Sequence, residues 1–281
     1  MSNHLNSLWK ANFALLEPLW EQHFAIYGDS ATVLPFVGLG DDGLPNATSF
    51  ITRRRTSTGL EAVFTWQATD AGPSNWTNGN DLTNPNRWQG IVPFLDFDGV
   101  NDEADSPDAA FWSNTLDAWS WLAWVNLRDA TSSTIMAKYT ESGDLREWRF
   151  HTTSGDDLQL ILSDEDDASS PDATLDTLTD TALVEGVWTH VVATYDGSAN
   201  ASGINLYVDG VLAASSDTDD GNFTSTRDTT SVVGLGIGNA TNFFDGFMAG
   251  GPLGPAIVQA ELTAAAIKRL YNIGRGALGI S

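Results

Sequence analysis

A chain of 281 residues with 42% hydrophobic and 18% charged side chains can bury a large core and is not composed like a disordered segment. Its 37 acidic and 13 basic residues give a formal net charge of -24, a field that repels phosphate backbones and excludes nucleic acid as a partner. Zero cysteines and four scattered histidines exclude disulfides, thiol nucleophiles and cysteine-zinc sites.

Residues 1–27 predict helix. Leu5, Leu8, Trp9, Leu16, Leu19, Trp20 and Phe24 recur at spacings of three and four, on one face, and Pro18 predicts a break. The stripe either packs on the protein's own body or docks on a neighbouring subunit through Leu5, Leu8, Trp9, Leu16 and Trp20. Residues 1–22 mix Asn, Lys and Glu with apolar side chains and lack a secretory pattern. Nowhere does an apolar run approach the roughly 18 residues that read as a membrane span. No membrane insertion is expected, and an extracellular or virion-surface location would be reached without a signal peptide.

Residues 28–93 read as irregular and β-rich, with strand composition at 32–38 and 60–67. Arg53, Arg54 and Arg55 form a basic cluster. Residues 70–90 are loop-like, with Trp76 and Trp88 as anchors. A boundary near residue 91 separates an N-terminal helical and extended docking region, 1–90, from a second region, 91–281. The charge also divides: residues 1–93 hold 8 acidic and 5 basic side chains, and the rest hold 29 and 8.

From residue 91 onward, short runs rich in Val, Ile, Tyr, Trp and Phe alternate with Gly, Asp, Asn and Ser clusters. Strands are predicted at 120–126, 148–151, 158–163, 188–195, 204–208 and 231–237. Tight turns are expected at Asp196-Gly197 and Asp209-Gly210. This spacing predicts an antiparallel sandwich. One late helix is predicted over 263–272, with Thr263 as N-cap and Gly274 as its stop. His190 lies on a strand apolar on both faces and reads as a core histidine, with a catalytic base as the alternative.

Several segments carry a resemblance. They are Phe94-Leu-Asp-Phe-Asp-Gly-Val-Asn-Asp102, Trp121-Leu-Ala-Trp-Val125, Ile135-Met-Ala-Lys-Tyr139, Gly186-Val-Trp-Thr-His-Val-Val-Ala-Thr-Tyr-Asp-Gly197 and Ile204-Asn-Leu-Tyr-Val-Asp-Gly-Val211. Phe244-Asp-Gly246 and Leu262-Thr-Ala-Ala-Ala-Ile267 follow. In this order they resemble the LamG-like branch of the concanavalin A-like lectin/glucanase superfamily over about residues 91–273. The resemblance implies an all-β, concanavalin A-like antiparallel β-sandwich (a jelly roll) with an N-terminal helical and extended arm and one short C-terminal helix. It also implies a calcium ion on the sandwich rim, with Asp98, Asp102 and Asp245 as carriers, although Asp98 and Asp245 also read as simple turn residues. Glycan contact is the other implied property, through Trp112, Tyr139 and Phe243, each of which alternatively plugs the core. One departure from the family follows Gly246: residues 247–255 run Phe-Met-Ala-Gly-Gly-Pro-Leu-Gly-Pro, which predicts an irregular stretch in place of a strand.

Glycanases of this superfamily set carboxylates at alternating positions of one strand, so that acid and nucleophile share a face. No Glu-x-Asp-x-Glu trio is found. Glu141, Asp144 and Glu147, spaced by three among Gly and Ser, read as a loop, and the acidic run 164–167 reads as a solvated loop. The sequence therefore predicts a non-enzymatic structural or adhesion protein: a virion surface or decoration component, with capsid or tail subunits as partners and cell-surface glycans as contacts. The alternatives are a calcium-dependent lectin or adhesin module and, more remotely, a glycan-active hydrolase or lyase.

Overall fold

The computed structural model describes residues 18–28, 31–33, 49–51, 63–66, 88–113, 117–141, 143–164, 173–219, 221–238 and 242–281. In chain order the elements are helix α1 (18–27) and strands β1 (Ala31–Val33), β2 (Ser49–Ile51), β3 (Val63–Trp66), β4 (Trp88–Gln89), β5 (Val92–Asp98) and β6 (Ala104–Ser106). Strands β7 (Trp119–Asp129), β8 (Thr134–Thr140), β9 (Leu145–Thr152), β10 (Leu158–Asp164), β11 (Ala173–Thr179) and β12 (Thr189–Tyr195) follow. The chain closes with β13 (Ile204–Val208), β14 (Val211–Leu212), β15 (Ser215–Asp219), β16 (Val233–Leu235), β17 (Asp245–Ala249), β18 (Ala256–Val258) and helix α2 (Ala264–Leu278).

Among the described residues the strands form two antiparallel sheets of nine strands each. The first runs β14-β13-β12-β7-β17-β5-β4, with β18 pairing both β7 and β1. Strand β7, 11 residues long, takes two partners on one side: β18 along Ser120 to Leu122 and β17 from Val125 onward. The second sheet runs β15-β11-β10-β9-β8-β16-β6-β3-β2. The described pieces of residues 1–90 thus join both sheets: β1 pairs β18, and β3 pairs β6.

Alternation along the strands explains the layering. On β7, Trp121, Ala123 and Val125 face the second sheet and meet Trp148, Phe150, Leu160 and Leu162 in the inner core. Leu122 and Trp124 face the other way, into an outer core closed by Leu19, Trp20, Phe24 and Tyr27 of α1 and by Ile267, Leu270 and Leu278 of α2. The first sheet is therefore covered on both faces, which is why its strands read as nearly continuous apolar runs. Trp20, only 1% exposed, packs on its own body, and the expectation that it docks on a neighbouring subunit is corrected. Leu5, Leu8, Trp9, Leu16, Arg53, Arg54, Arg55 and Trp76 lie outside the described residues.

Local chemistry fits the elements. Asp209 and Gly210 take φ of 53° and 70°, the two-residue turn of the β13–β14 hairpin. Thr263 caps α2 by accepting from the Ala266 amide. Four expectations need correction. Helix α2 does not stop at Gly274 but runs to Leu278, with Gly279 as its left-handed cap; Gly274 lies inside it because a Cβ there would stand 2.3 Å from the Trp124 indole nitrogen. Residues 247–249 are regular strand, paired with both β5 and β7; only the Gly/Pro stretch after them leaves the ladder. Strand β16 spans three residues, not the seven predicted. Strands β11 and β15 were missed because both are polar, Ala-Thr-Leu-Asp-Thr-Leu-Thr beside the edge and Ser-Ser-Asp-Thr-Asp at it.

Candidate functional site

The outer face of the second sheet carries no helix among the described residues, and its side chains differ in kind from those under α1 and α2. Register aligns one row across it: Asp105, Gly234, Ala137, Arg149, Ile161, Asp176 and Thr218. Charged residues thus flank two positions with little or no side chain. At about 4.8 Å per strand, Asp105 and Arg149 stand three strands, or about 14 Å, apart. Over the small residues lies a furrow of about 250 Å³. Its walls include Glu103, Asp105, Tyr139, Glu141 and Ile237.

A β-bulge shapes this surface. Between Lys138 and Tyr139 the β8–β9 register slips: Lys138 opposes Trp148 and Tyr139 opposes Arg146, which leaves Glu147 as the extra residue and re-aims its side chain. Tyr139 turns outward, and its ring centroid lies 4.8 Å from the Arg149 guanidinium carbon and 5.8 Å from that of Arg146. Glu147 turns inward, fully buried beside fully buried Lys138, and the two form an ion pair. Glu147 also accepts from the Thr229 amide and hydroxyl, while Lys138 donates to the Thr229 carbonyl (2.6 Å) and to Asp108 (3.0 Å). Burial pushes the Glu147 carboxyl up, opposed by Lys138 and Thr229. The pair ties the 229–231 segment to the sheet, and the expectation that Glu147 sits in a loop is corrected.

Electrostatics within the furrow are uneven. Glu103 and Asp105 stand at alternate positions of one extended stretch and share a face. Burial, then the neighbouring Asp105 charge, pushes the Glu103 carboxyl up to about 7. Arg149 is lowered chiefly by burial. Asp176, raised by burial, accepts from the Gln159 amide. His151 is sealed: it is 4% exposed, its Nε2 lacks a partner, and burial and Arg149 lower it to about 3. An imidazole with no route to solvent is no general base. The same holds for His190, held near 3 by burial between Trp124 and Tyr271.

The sequence-predicted residues separate. Tyr139 lines the furrow. Phe243 is half-buried, on the loop before β17. Trp112 has no exposed surface and packs in the inner core, its carbonyl accepting from the Trp148 indole; the expectation that it offers a glycan platform is corrected. Asp98 and Asp245 face each other across β5 and β17. Yet Asp98 Oδ1 accepts from the Val100 and Asn101 amides, Asp102 Oδ2 from the Asp98 amide, and Asp245 pairs with Arg128, which also holds Asp96. Calcium needs six to eight converging oxygens, and a guanidinium in their midst does not fit one. Carboxylate oxygens of a different trio, Asp129, Asp156 and Glu185, do lie within 4.8 Å of one another, each accepting from Thr131 or Ala130. Asp164, the described member of the 164–167 run, clamps Thr224, Ser225 and Arg227. Sequence reasoning missed Glu103, Asp105 and Arg149. The alternation Glu103-Ala104-Asp105 was a usable signal; the stacking of Arg149 on Tyr139 was not, because it depends on the β8–β9 register, which sets Arg149 opposite Ala137, two positions from Tyr139.

No described helix is long and apolar enough to cross a membrane. No curated protein sequence matches the chain. Among solved structures, the botulinum neurotoxin serotype D binding domain aligns at 14% identity with a TM-score of 0.53, covering 89% of this chain and 52% of that one. A botulinum neurotoxin type C structure aligns at 12% identity with the same TM-score of 0.53 and the same coverage, 89% and 52%. Domain 4 of AbnA, a GH43 extracellular arabinanase from Geobacillus stearothermophilus, aligns at 20% identity with a TM-score of 0.43, covering 64% and 81%. The chain spans about half the length of the two toxin structures. A family profile described as the concanavalin A-like lectin/glucanases superfamily matches residues 97–267, more than half of the sequence. With two antiparallel sheets packed face to face over that same stretch, the chain belongs to the concanavalin A-like lectin/glucanases superfamily.

Proposed function

We propose that this protein is a non-catalytic carbohydrate-binding module that holds a saccharide along the furrow of the second sheet. The observation that carries the proposal is the furrow's composition. An aromatic ring (Tyr139) and an aliphatic side chain (Ile237) lie beside carboxylates (Glu103, Asp105 and Glu141), on a face left open by α1 and α2. Sugars present C–H faces to rings and hydroxyls to acceptors, and sites that bind them combine both kinds of group. The type C toxin in the comparison enters cells through interaction with two ganglioside molecules, so the fold is compatible with glycan recognition. The one-sided cover supports display on a cell or virus-particle surface, with the first sheet inward and the furrow outward.

A glycan array, followed by titration of the best ligand, tests the proposal. Tyr139→Ala should weaken binding at least about tenfold, the loss of one well-packed anchor, while the melting temperature stays near that of the parent. Repeating the titration in calcium and in chelator separates furrow binding from a calcium-dependent lectin; furrow binding should be the same in both. An array without hits, or a Tyr139→Ala protein that binds like the parent, refutes the proposal.

One observation favours a second reading, a glycan-active hydrolase: Glu103, held near 7 beside Asp105, has the protonation state of a general acid at neutral pH. Release of reducing ends from the bound glycan, abolished in Glu103→Gln, would establish turnover and overturn the non-catalytic assignment.

A further inference from the structure

Resting on that reading, we infer that the saccharide is acidic, and that its single carboxylate or sulfate group is received by Arg149. In a chain with 37 acidic and 13 basic residues, cations find partners easily. Arg128 pairs with Asp96 and Asp245, Arg227 with Asp164, Arg146 with Asp144, and Lys138 with Glu147. Arg149 is different. It is half-buried, its Nε is enclosed without a partner, and its contact is with the Tyr139 ring. Its neighbours in the row are Ala137 and Ile161, which offer no acceptor. The charges of Glu141 and Asp176 reach it only through space, and Asp176 is engaged by Gln159 at 2.5 Å.

An exposed arginine without a partner is ordinary. A half-enclosed one is not, because removing charge from water costs free energy unless a counter-charge replaces the water. The guanidinium fork matches a planar carboxylate or a sulfate oxygen pair, and its face already rests on an aromatic ring. Tyr139 belongs to the furrow wall, and Gly238, on the same wall, leaves room against the Arg149 stem: a Cβ there would stand 2.9 Å from Cδ. A ligand stacked on Tyr139 therefore lies within reach of Arg149.

The far end of the furrow sharpens the inference. Glu103 and Asp105 are there, three strands from Arg149, and the protein's net charge is -24, so a densely charged polyanion is repelled along most of its length. What fits is a saccharide neutral over most of its length, with an isolated acid at the Arg149 end and hydroxyls donating to the carboxylates at the other.

The experiment compares matched glycans on one array and in solution: lactose, 3′-sialyllactose, 3′-sulfolactose and other pairs differing by one acidic group, with heparin as polyanion. In the pairs that bind, the acidic member should bind at least about tenfold tighter, the range for a charge-assisted hydrogen-bonded pair, and heparin should bind more weakly than either. The carboxylated and sulfated probes distinguish the two sources of charge. Arg149→Gln should erase the preference, bringing the acidic and neutral members of each pair to the same affinity, and Arg149→Lys, which keeps the charge and loses the fork, should retain part of it. Equal affinity within every pair, or heparin as the tightest ligand, overturns the inference and leaves carbohydrate binding standing. Silence of every glycan, acidic and neutral, removes both.

Discussion

Two glycines in one helix make opposite predictions. Replacing a helical glycine by alanine ordinarily stabilises by about 1 kcal/mol, because glycine loses more backbone entropy on folding. Gly276 is exposed, and a Cβ there would meet nothing within 4 Å. Gly276→Ala should therefore stabilise by about 0.5–1 kcal/mol, raising the melting temperature by roughly 2–4 °C per kcal/mol in a chain of this size. At Gly274 the added carbon would stand 2.3, 2.6 and 2.7 Å from Nε1, Cε2 and Cζ2 of Trp124. That indole cannot swing aside, since it stacks on Tyr271 (5.7 Å, 11°) and lies 5.1 Å from His190. Overpacking of this kind costs about 1–3 kcal/mol, which exceeds the entropic gain, so Gly274→Ala should destabilise by roughly 1–2 kcal/mol. Urea unfolding of both variants reads the difference directly. Trp124→Phe, which shrinks the ring, should lessen the penalty of Gly274→Ala, giving a favourable coupling in a double-mutant cycle. If both alanines stabilise equally, α2 does not press its glycine face on Trp124, and the account of the outer core is wrong.

Two further outcomes follow from buried charge. His23, His151 and His190 are held near 4, 3 and 3 by burial, below their ordinary 6.5. The unfolded chain takes up protons first, so stability is full above about pH 6.5 and falls as pH drops towards 4, by about 1.4 kcal/mol per pH unit per histidine; a urea midpoint unchanged between pH 7 and 4.5 would contradict this. Lys138→Met leaves buried Glu147 without its counter-charge and should cost about 3–5 kcal/mol, whereas Lys138→Met with Glu147→Leu should recover most of that. A double variant as unstable as the single one would show that the loss comes from packing at 138 rather than from the stranded carboxylate.

How much was legible in the sequence depended on whether the cause was local. Strand β13 spans the predicted 204–208, and the Asp209-Gly210 turn and the Thr263 cap formed as expected, because each is set by neighbours in the chain. Gly274 read as a helix stop because the reason for it, Trp124, lies 150 positions away in sequence. Strand β11 hid because its inward positions include Thr177 and Thr179, which no hydropathy pattern marks. Trp112 read as a rim residue because its short 3-10 turn is loop-like in sequence and becomes core only when Trp148 arrives beneath it. In the site, Tyr139 was found, while Arg149 became its partner only through the β8–β9 pairing, which sets it opposite Ala137.

The contrast between the two outer faces gives the strongest reason for placing the ligand on the second sheet. A helix can lie on the first sheet because Leu122, Trp124, Val192 and Tyr207 present apolar surface to it. The corresponding row of the second sheet presents Asp105, Arg149 and Asp176 at intervals of two or three strands. Covering that row with an apolar element would take the Arg149 charge out of water without a counter-charge, at several kcal/mol. Such a face stays wet, or is covered by something that supplies hydroxyls and one matching charge while leaving an aromatic ring to stack upon. A hydrophobic partner meets the ring but strands the arginine. A polyanion meets Arg149 but opposes Asp105 and Asp176. A saccharide with a single acidic group satisfies the aromatic ring, the arginine and the carboxylates together.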